Sequence, residues 1–242
     1  MYEVACVVDA GAERLKNDDR AVVGGRVIDA GAYSASVQQV LAAVCDGVGG
    51  EAFGDEAAQL TASCFSGIPD GPINAGIIME YIKRADELVQ ARQKKSLSHS
   101  KMASTIAGIY VNGSDFLAFN VGDSRVYRYR PPYIAQLSTD HSLMEELRAI
   151  GIEPGPEQEH IITHYIGGKA SNPCIVDGRD KAFDCDIFML CTDGVSDALD
   201  EIELESLFSV EEGLEAKCRR IIYAAIAKGS ADNLSVVLIR RV

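Results

Sequence analysis

Short stretches rich in apolar, strand-forming residues open the chain, with turn residues such as Asp9, Gly11 and Asn17 between them, and this pattern predicts β-strands. From residue 51 onward the apolar positions instead recur at helical spacing, which predicts an α-helix. A turn over residues 69–72 separates this helix from a second one over residues 73–93. The predicted opening strands cover residues 2–8, 20–28 and 37–45.

The second half of the chain returns to strands before it becomes mixed. Asn112-Gly113 and Gly122-Asp123 are tight-turn dipeptides, so the strands that flank them are predicted to form an antiparallel meander. Residues 94–101 are polar and basic and predict a surface loop, whereas residues 151–180 predict a long irregular segment. Because strands and helices come in blocks, we expect an α+β fold with layered antiparallel sheets. The remaining predicted strands cover residues 106–111, 115–121, 125–130, 187–191 and 234–240, and the remaining helices cover residues 140–150, 200–208 and 211–227.

The composition is typical of a globular protein with a sizeable core. Of the 242 residues, 47% are hydrophobic and 24% are charged, which fits one large domain. The net charge of −13 disfavours binding to nucleic acid or to an anionic membrane surface. The seven cysteines lack the spacing of a metal site or a disulfide framework, and the first residues do not resemble a signal peptide. We therefore expect reduced thiols and a cytoplasmic protein.

Aspartate recurs where the predicted strands end or begin. Asp46, Asp123 and Asp193 follow apolar strands, and Asp232 comes just before the last strand. Any one of them alone is ordinary turn chemistry. Carboxylates gathered from neighbouring strand ends, however, would supply the oxygen ligands that Mg²⁺ and Mn²⁺ prefer. With only 4 histidines in the chain, a zinc site is poorly supported, so the sequence favours a carboxylate-bound divalent cation.

Arg14 and the adjacent pair Asp18-Asp19 form a further polar group. On local sequence alone, the acidic pair predicts a solvated hairpin. Beside a metal ion, Arg14 would become an anion clamp, because its planar guanidinium can hold two phosphate oxygens.

Six short motifs follow one another along nearly the whole chain. They are Arg14…Asn17-Asp18-Asp19, Asp46-Gly47-Val48-Gly49-Gly50, Gly122-Asp123-Ser124-Arg125, Asp140-His141-Ser142, Asp193-Gly194-Val195-Ser196-Asp197 and Asp232-Asn233-Leu234-Ser235. In this order the chain resembles the metal-dependent serine/threonine protein phosphatases of type 2C, in their compact bacterial form.

The resemblance implies a four-layer αββα sandwich with two central antiparallel β-sheets. It implies a single catalytic domain over residues 1–242, with a flap-like segment at about residues 151–180. It also implies two or three Mn²⁺ or Mg²⁺ ions in a cleft at one end of the sandwich. The implied metal ligands are Asp18, Asp46, the carbonyl of Gly47, Asp123, Asp193 and Asp232.

Individual roles follow from the same resemblance. Asp46 would bridge two ions, and Asp123 would help Asp193 to hold a third. Asp19 would orient water, and Arg14 would bind the phosphoryl group.

Two residues depart from the family pattern. Asp18 stands where the family commonly has glutamate, so this ligand is shorter by one methylene. Val48 stands where animal members carry a histidine, which leaves the general acid unassigned. His160 and His164 lie in the irregular segment and are interpreted as surface residues.

The predicted function is hydrolysis of phosphoserine or phosphothreonine in proteins by water shared between two metal ions. Two alternatives stay open: a small-molecule phosphohydrolase, and a pseudophosphatase that uses the fold to bind a partner. A P-loop enzyme is excluded because Gly-x-x-x-x-Gly-Lys-Ser/Thr is absent. The expected partners are a phosphorylated protein substrate and a cognate serine/threonine kinase system, and the protein is expected to be a monomer.

Overall fold

The computed structural model describes residues 1–48, 53–155, 158, 161–168, 173–177 and 181–242. Over these residues it contains two antiparallel sheets of six strands each, with helices on both outer surfaces. The predicted α+β class and four-layer αββα sandwich are therefore confirmed.

The strands are β1 (Tyr2–Asp9), β2 (Arg20–Val23), β3 (Arg26–Ile28), β4 (Gly31–Val37), β5 (Gln39–Cys45), β6 (Ile106–Asn112), β7 (Asp115–Val121), β8 (Arg125–Arg130), β9 (Tyr133–Gln136), β10 (Cys174–Asp177), β11 (Ile187–Cys191) and β12 (Leu234–Arg241). The helices are α1 (Gly54–Ser66), α2 (Ala75–Gln93), α3 (Leu143–Ala149), α4 (Asp193–Ser196), α5 (Glu201–Phe208) and α6 (Leu214–Ala227). A 3₁₀ turn spans Leu97–His99, inside the predicted loop.

The first sheet has the strand order β4-β1-β12-β11-β8-β9, and the second has the order β10-β7-β6-β5-β2-β3. β1 and β12 pair along their whole length, from Tyr2 opposite Arg241 to Asp9 opposite Leu234. Strands in the middle of both sheets are buried on both faces, because each sheet packs on the other sheet and on helices. This explains why their sequences are continuous apolar runs.

Three buried clusters join the four layers. The cluster between the sheets consists mainly of β-branched and small residues, which fit the pleated surface. Burial of each large apolar side chain stabilises the fold by about 1.5–3 kcal/mol. Representative members are Val44, Ile109 and Val237 between the sheets, Phe65, Ile82 and Phe119 between the second sheet and α1 and α2, and Leu204, Ile221 and Leu238 between the first sheet and α5 and α6.

Several predicted boundaries were wrong for local reasons. The predicted strand over residues 20–28 is a hairpin, because Gly24 adopts a positive φ of 57° and turns the chain between β2 and β3. The edge strands β4 and β9 were missed. The predicted helix over residues 140–150 begins only at Leu143, where the Ser142 hydroxyl accepts a hydrogen bond from the Glu145 N–H.

The segment over residues 151–180 is not wholly irregular. β10 pairs with β7 at the edge of the second sheet. Residues 161–168 are fixed by two isolated β-bridges, one between Ser142 and Ile162 and one between Ser104 and Ile166. The described part of this segment is therefore attached to the body of the sandwich at three places.

All seven cysteines are free thiols, and five of them are buried. Cys174 is half-buried, and Cys185 is exposed. The prediction of reduced thiols is consistent with this arrangement. Among the described residues, no helix combines the length and apolar character needed to cross a bilayer.

Candidate metal centre and active site

Antiparallel pairing gathers the aspartate-bearing strand ends at one end of the sandwich. The end of β5 lies beside the start of β6, which lies beside the end of β7. In the other sheet the end of β11 lies beside the start of β12. Asp46 and Asp123 therefore face the site from the second sheet, and Asp193 and Asp232 from the first. These four residues line one cavity of about 140 Å³.

Every residue predicted to be a metal ligand lines this cavity, and so does Arg14, the predicted phosphate clamp. Val48 and Ile162 add two apolar side chains to an otherwise polar wall. The cavity residues are Arg14, Asp18, Asp46, Gly47, Val48, Asp123, Ile162, Asp193, Asp232 and Asn233.

Burial is the main reason why the pKa values of these carboxyl groups are raised. It raises the pKa of Asp46 well above 3.8, and the charges of Asp193 and Asp19 raise it further. Burial likewise raises the pKa of Asp123 to about 7 and that of Asp193 to about 6, and neighbouring carboxylates add to both shifts. Several buried like charges are costly to ionise together unless cations compensate them.

Asp19 is buried, with only 1% of its surface exposed, and does not itself line the cavity. Its Oδ2 accepts hydrogen bonds from the hydroxyls of Thr192 and Ser235, both at 2.8 Å. Burial raises the pKa of Asp19 to about 7, although these two hydrogen bonds oppose the rise. Among the described residues, its Oδ1 has no hydrogen-bond partner.

The donor chemistry of the cavity fits hard divalent cations. Within the described part of the chain, the buried Oδ1 atoms of Asp18, Asp19 and Asp123 accept no hydrogen bond. Buried carboxylate oxygens without donors are what a metal ion or its water would satisfy.

Two of the predicted metal ligands, Asp232 and Asp18, lie beside basic side chains of the protein. Arg14 Nη2 donates to Asp232 Oδ2 at 2.8 Å, and its Nε donates to the Ala231 carbonyl at 3.2 Å. Lys16 Nζ lies 3.7 Å from Asp18 Oδ1. Over residues 1–48, 53–155, 158, 161–168, 173–177 and 181–242, no three acidic, histidine or cysteine side chains converge as a ligand set for one ion.

Thr105 joins the two turns that carry Asp46 and Asp123. Its N–H donates to the Asp46 carbonyl at 2.9 Å, and its hydroxyl accepts a hydrogen bond from the Asp46 N–H at 3.1 Å. The same hydroxyl lies 2.6 Å from the Ser124 hydroxyl. One buried side chain thus links the backbone of Asp46 to the residue that follows Asp123.

Gly47 is required by the close approach of α1. A Cβ at Gly47 would lie 2.4 Å from the Gly54 carbonyl carbon, and a Cβ at Gly54 would lie 2.5 Å from the Gly47 carbonyl oxygen. Any side chain at either position would push the first turn of α1 away from the cavity. Gly49 and Gly50, which belong to the same motif, lie outside the described residues.

Asn233 was not predicted as a site residue, yet it organises the loop that carries Asp18. Its Oδ1 accepts the Asp18 N–H at 2.8 Å, and its Nδ2 donates to the carbonyls of Ala10 and Lys16 at 2.9 and 3.0 Å. Its position next to Asp232 in the last sequence motif could have identified it as a site residue.

Asp197 was also missed. It lines a second, more open cavity of about 550 Å³, which adjoins the first and shares Arg14, Asp193 and Asp232 with it. The charge of Asp197 contributes to the raised pKa of both Asp123 and Asp193. Its position four residues after Asp193 could have identified it, because this spacing keeps two side chains on one helical face.

The histidines stand apart from the carboxylate cavity. His164 lies beside His141, with ring centroids 5.0 Å apart, and neither lines the cavity. His141 Nδ1 accepts a hydrogen bond from the Gly122 N–H at 3.1 Å. His160 lies outside the described residues.

Comparison with known proteins gives a consistent result. The family model described as protein phosphatase 2C matches residues 20–221. The serine/threonine protein phosphatase PstP of Mycobacterium tuberculosis is 26% identical over 239 residues, which cover 95% of this chain and 43% of PstP. The serine/threonine phosphatase stp of Listeria monocytogenes is 26% identical over 247 residues, which cover 96% of this chain and 93% of that protein.

Solved structures share the fold. The serine/threonine phosphatase of S. agalactiae superimposes with a TM-score of 0.84 at 24% identity and covers 100% of both chains. The catalytic domain of PstP in complex with 2 manganese ions superimposes with a TM-score of 0.82 at 24% identity, covering 99% of both chains. The present chain spans less than half of the full-length mycobacterial relative.

Proposed function

Because the chain belongs to the protein phosphatase 2C family, we propose that it hydrolyses phosphoserine or phosphothreonine in proteins with the help of Mn²⁺ or Mg²⁺. One observation carries this proposal. Carboxylates from both sheets and from the Asp18 loop line one small cavity, and the buried ones among them are costly to ionise together unless cations compensate their charges.

The residues that would hold the ions are those at the strand ends. Asp46, Asp193 and Asp232 would bind a pair of ions together with Asp18 and the Gly47 carbonyl. Asp123 would share a third ion with Asp193. When bound, such ions supply Lewis acidity, which makes water a better nucleophile and offsets the charge of the phosphoryl oxygens.

Arg14 would bind the substrate phosphate. Its side chain is 47% exposed and lies in the wall that the two cavities share, so a phosphoryl group can approach it from solvent. The guanidinium fork would contact two phosphoryl oxygens in place of its present bond to Asp232.

Asp19 would orient the attacking water. Thr192 and Ser235 hold one oxygen of its carboxylate and leave Oδ1 available as an acceptor. An acceptor that is already held in place costs no reorganisation during the reaction.

The second, open cavity supports a polypeptide substrate. Its volume of about 550 Å³ beside Arg14 would accommodate residues that flank the phosphorylated side chain. The cognate kinase system, the monomeric state, the single catalytic domain and the cytoplasmic location stay predictions of the sequence.

The test is phosphate release from phosphoserine and phosphothreonine peptides, and from p-nitrophenyl phosphate, with Mn²⁺ and with a chelator. Wild type should act on the peptides only with the metal, whereas Asp46→Asn and Asp193→Asn should lose both turnover and Mn²⁺ binding. Asp115→Asn is the matched control, because Asp115 lies at the opposite end of β7 from Asp123. Activity on small esters alone would favour the small-molecule phosphohydrolase, and inert protein with any divalent ion would favour the binding module.

A further inference from the structure

Arg20 is a buried cation at the edge of the candidate site that the proposed mechanism does not use. It is the first residue of β2, it pairs across the sheet with Cys45, and only 9% of its surface is exposed. It does not line the carboxylate cavity. Burying a guanidinium costs free energy unless its N–H groups donate hydrogen bonds. The groups that accept those bonds therefore indicate the structural role of Arg20.

The guanidinium binds the backbone on both sides of Asp18. Its Nη1 donates to the Asn17 carbonyl at 2.9 Å and to the Asp19 carbonyl at 2.7 Å. These two bonds fix the peptide group that precedes Asp18 and the peptide group that follows Asp19, and hence the directions in which the two side chains leave the backbone. A neutral side chain cannot replace the charge-assisted bonds.

A third bond ties the same guanidinium to α1. Arg20 Nε donates to Gln59 Oε1 at 2.9 Å, and Gln59 Nε2 donates to the Ser63 hydroxyl at 3.0 Å. The first turn of α1 is the one that packs on the Gly47 carbonyl. Arg20 therefore connects the acidic turn to α1, whose first residue, Gly54, packs against the cavity residue Gly47.

We propose that Arg20 is a positioning residue that holds Asp18 and Asp19 in the arrangement that binds divalent metal ions. The inference rests on the proposed function, since it assigns Arg20 to the same metal centre. Residues that orient metal ligands without touching the metal typically change metal affinity by about 10–100-fold when they are removed. The Kd of Mn²⁺ should rise by about this factor in Arg20→Gln.

The experiment measures Mn²⁺ binding by isothermal titration calorimetry and by the electron paramagnetic resonance signal of free Mn²⁺. Neither readout needs turnover. Arg20→Lys should give an intermediate Kd, because an ammonium keeps the charge but cannot span both carbonyls and Gln59. At saturating Mn²⁺, the KM for p-nitrophenyl phosphate should stay near that of wild type, because Arg14 is untouched.

Arg130→Gln is the matched control. Arg130 binds both oxygens of the buried Asp186, at 2.7 and 2.8 Å, at the end of β8 remote from the cavity. This variant should lose thermal stability at least as much as Arg20→Gln and yet bind Mn²⁺ as wild type does. If Arg20→Gln does not fold, Gln59→Ala releases the guanidinium from α1 and should raise the Kd by a few-fold.

Unchanged Mn²⁺ affinity in Arg20→Gln, or an equal loss in Arg130→Gln, would overturn the inference. Wild type that binds Mn²⁺ but releases no phosphate would overturn the proposed function and leave the role of Arg20 standing. Wild type that binds no divalent ion would contradict both.

Discussion

Replacing Asp19 with asparagine should stabilise the metal-free protein at alkaline pH. The asparagine Oδ1 can accept the hydrogen bonds of Thr192 and Ser235 that Asp19 Oδ2 accepts now. The new amide group would take the place of Oδ1, which has no partner among the described residues. It would also replace a charged group by a neutral one near the carboxylates of Asp193 and Asp232, whose charges now act on Asp19.

The expected gain follows from the pKa of Asp19. Burial raises this pKa from 3.8 to about 7. A tenfold change in an ionisation constant corresponds to about 1.4 kcal/mol, so the ionised form costs the folded state about 4 kcal/mol relative to the unfolded chain. Since the folded pKa is the higher one, this cost is absent below about pH 4, grows with rising pH and is complete above about pH 7. Allowing for desolvation of the new amide, we expect the free energy of unfolding of Asp19→Asn to exceed that of wild type by about 2–4 kcal/mol at about pH 8. This corresponds to a rise of about 5–15 °C in Tm.

Thermal unfolding followed by circular dichroism in a chelator, over a series of pH values, measures this difference. The control is Asp186→Asn. Although burial alone would raise the pKa of Asp186, hydrogen bonds from Arg130 lower it, so this variant should be less stable than wild type at neutral pH. An Asp19→Asn protein that is no more stable than wild type at alkaline pH would refute the account of the buried carboxylates.

Three further variants test other parts of the molecule. Arg14→Ala should raise the KM for a phosphopeptide by about tenfold or more without weakening Mn²⁺ binding, which steady-state kinetics and calorimetry separate; an unchanged KM would mean that another group binds the phosphate. Thr105→Val should weaken Mn²⁺ binding by about tenfold, whereas Thr105→Ser should not, because only valine removes the hydroxyl between the Asp46 and Asp123 turns; equal affinities would argue against that role. Lys217→Met should lower the free energy of unfolding by about 2–4 kcal/mol, measured by denaturant unfolding. The reason is that Lys217 Nζ donates to the carbonyls of Leu207, Phe208 and Val210 at and just after the end of α5. A loss below about 0.5 kcal/mol would show that water replaces these bonds.

The sequence predicted the parts of the fold that are encoded locally. Strands buried on both faces, such as β7 and β11, are continuous apolar runs with turn residues at their ends. Edge strand β4 was missed because its alternating exposure combines glycine, alanine and serine, which have weak strand propensity. α4 was missed because its four residues are too few to show a helical period.

The candidate site was predictable as a set of residues but not as a set of contacts. The order of the aspartate motifs placed six predicted ligands around one cavity. The bond between Arg14 and Asp232 spans 218 positions, and the bond between Asp18 and Asn233 spans 215. Such pairings depend on how β1 and β12 meet in the sheet, so no local pattern could indicate them.

The distribution of thiols has a practical consequence for spectroscopy. Cys45 and Cys191 stand close in sequence to Asp46 and Asp193, and burial raises the pKa of Cys191 to about 12 and that of Cys45 well above its usual range. Thiolates are the species that maleimides and iodoacetamides attack, so both residues should stay unmodified. Cys185 is exposed and lies just before β11, at the end of the sandwich remote from the cavity. A fluorophore or spin label should therefore attach there first and report on the intact protein without cysteine substitutions.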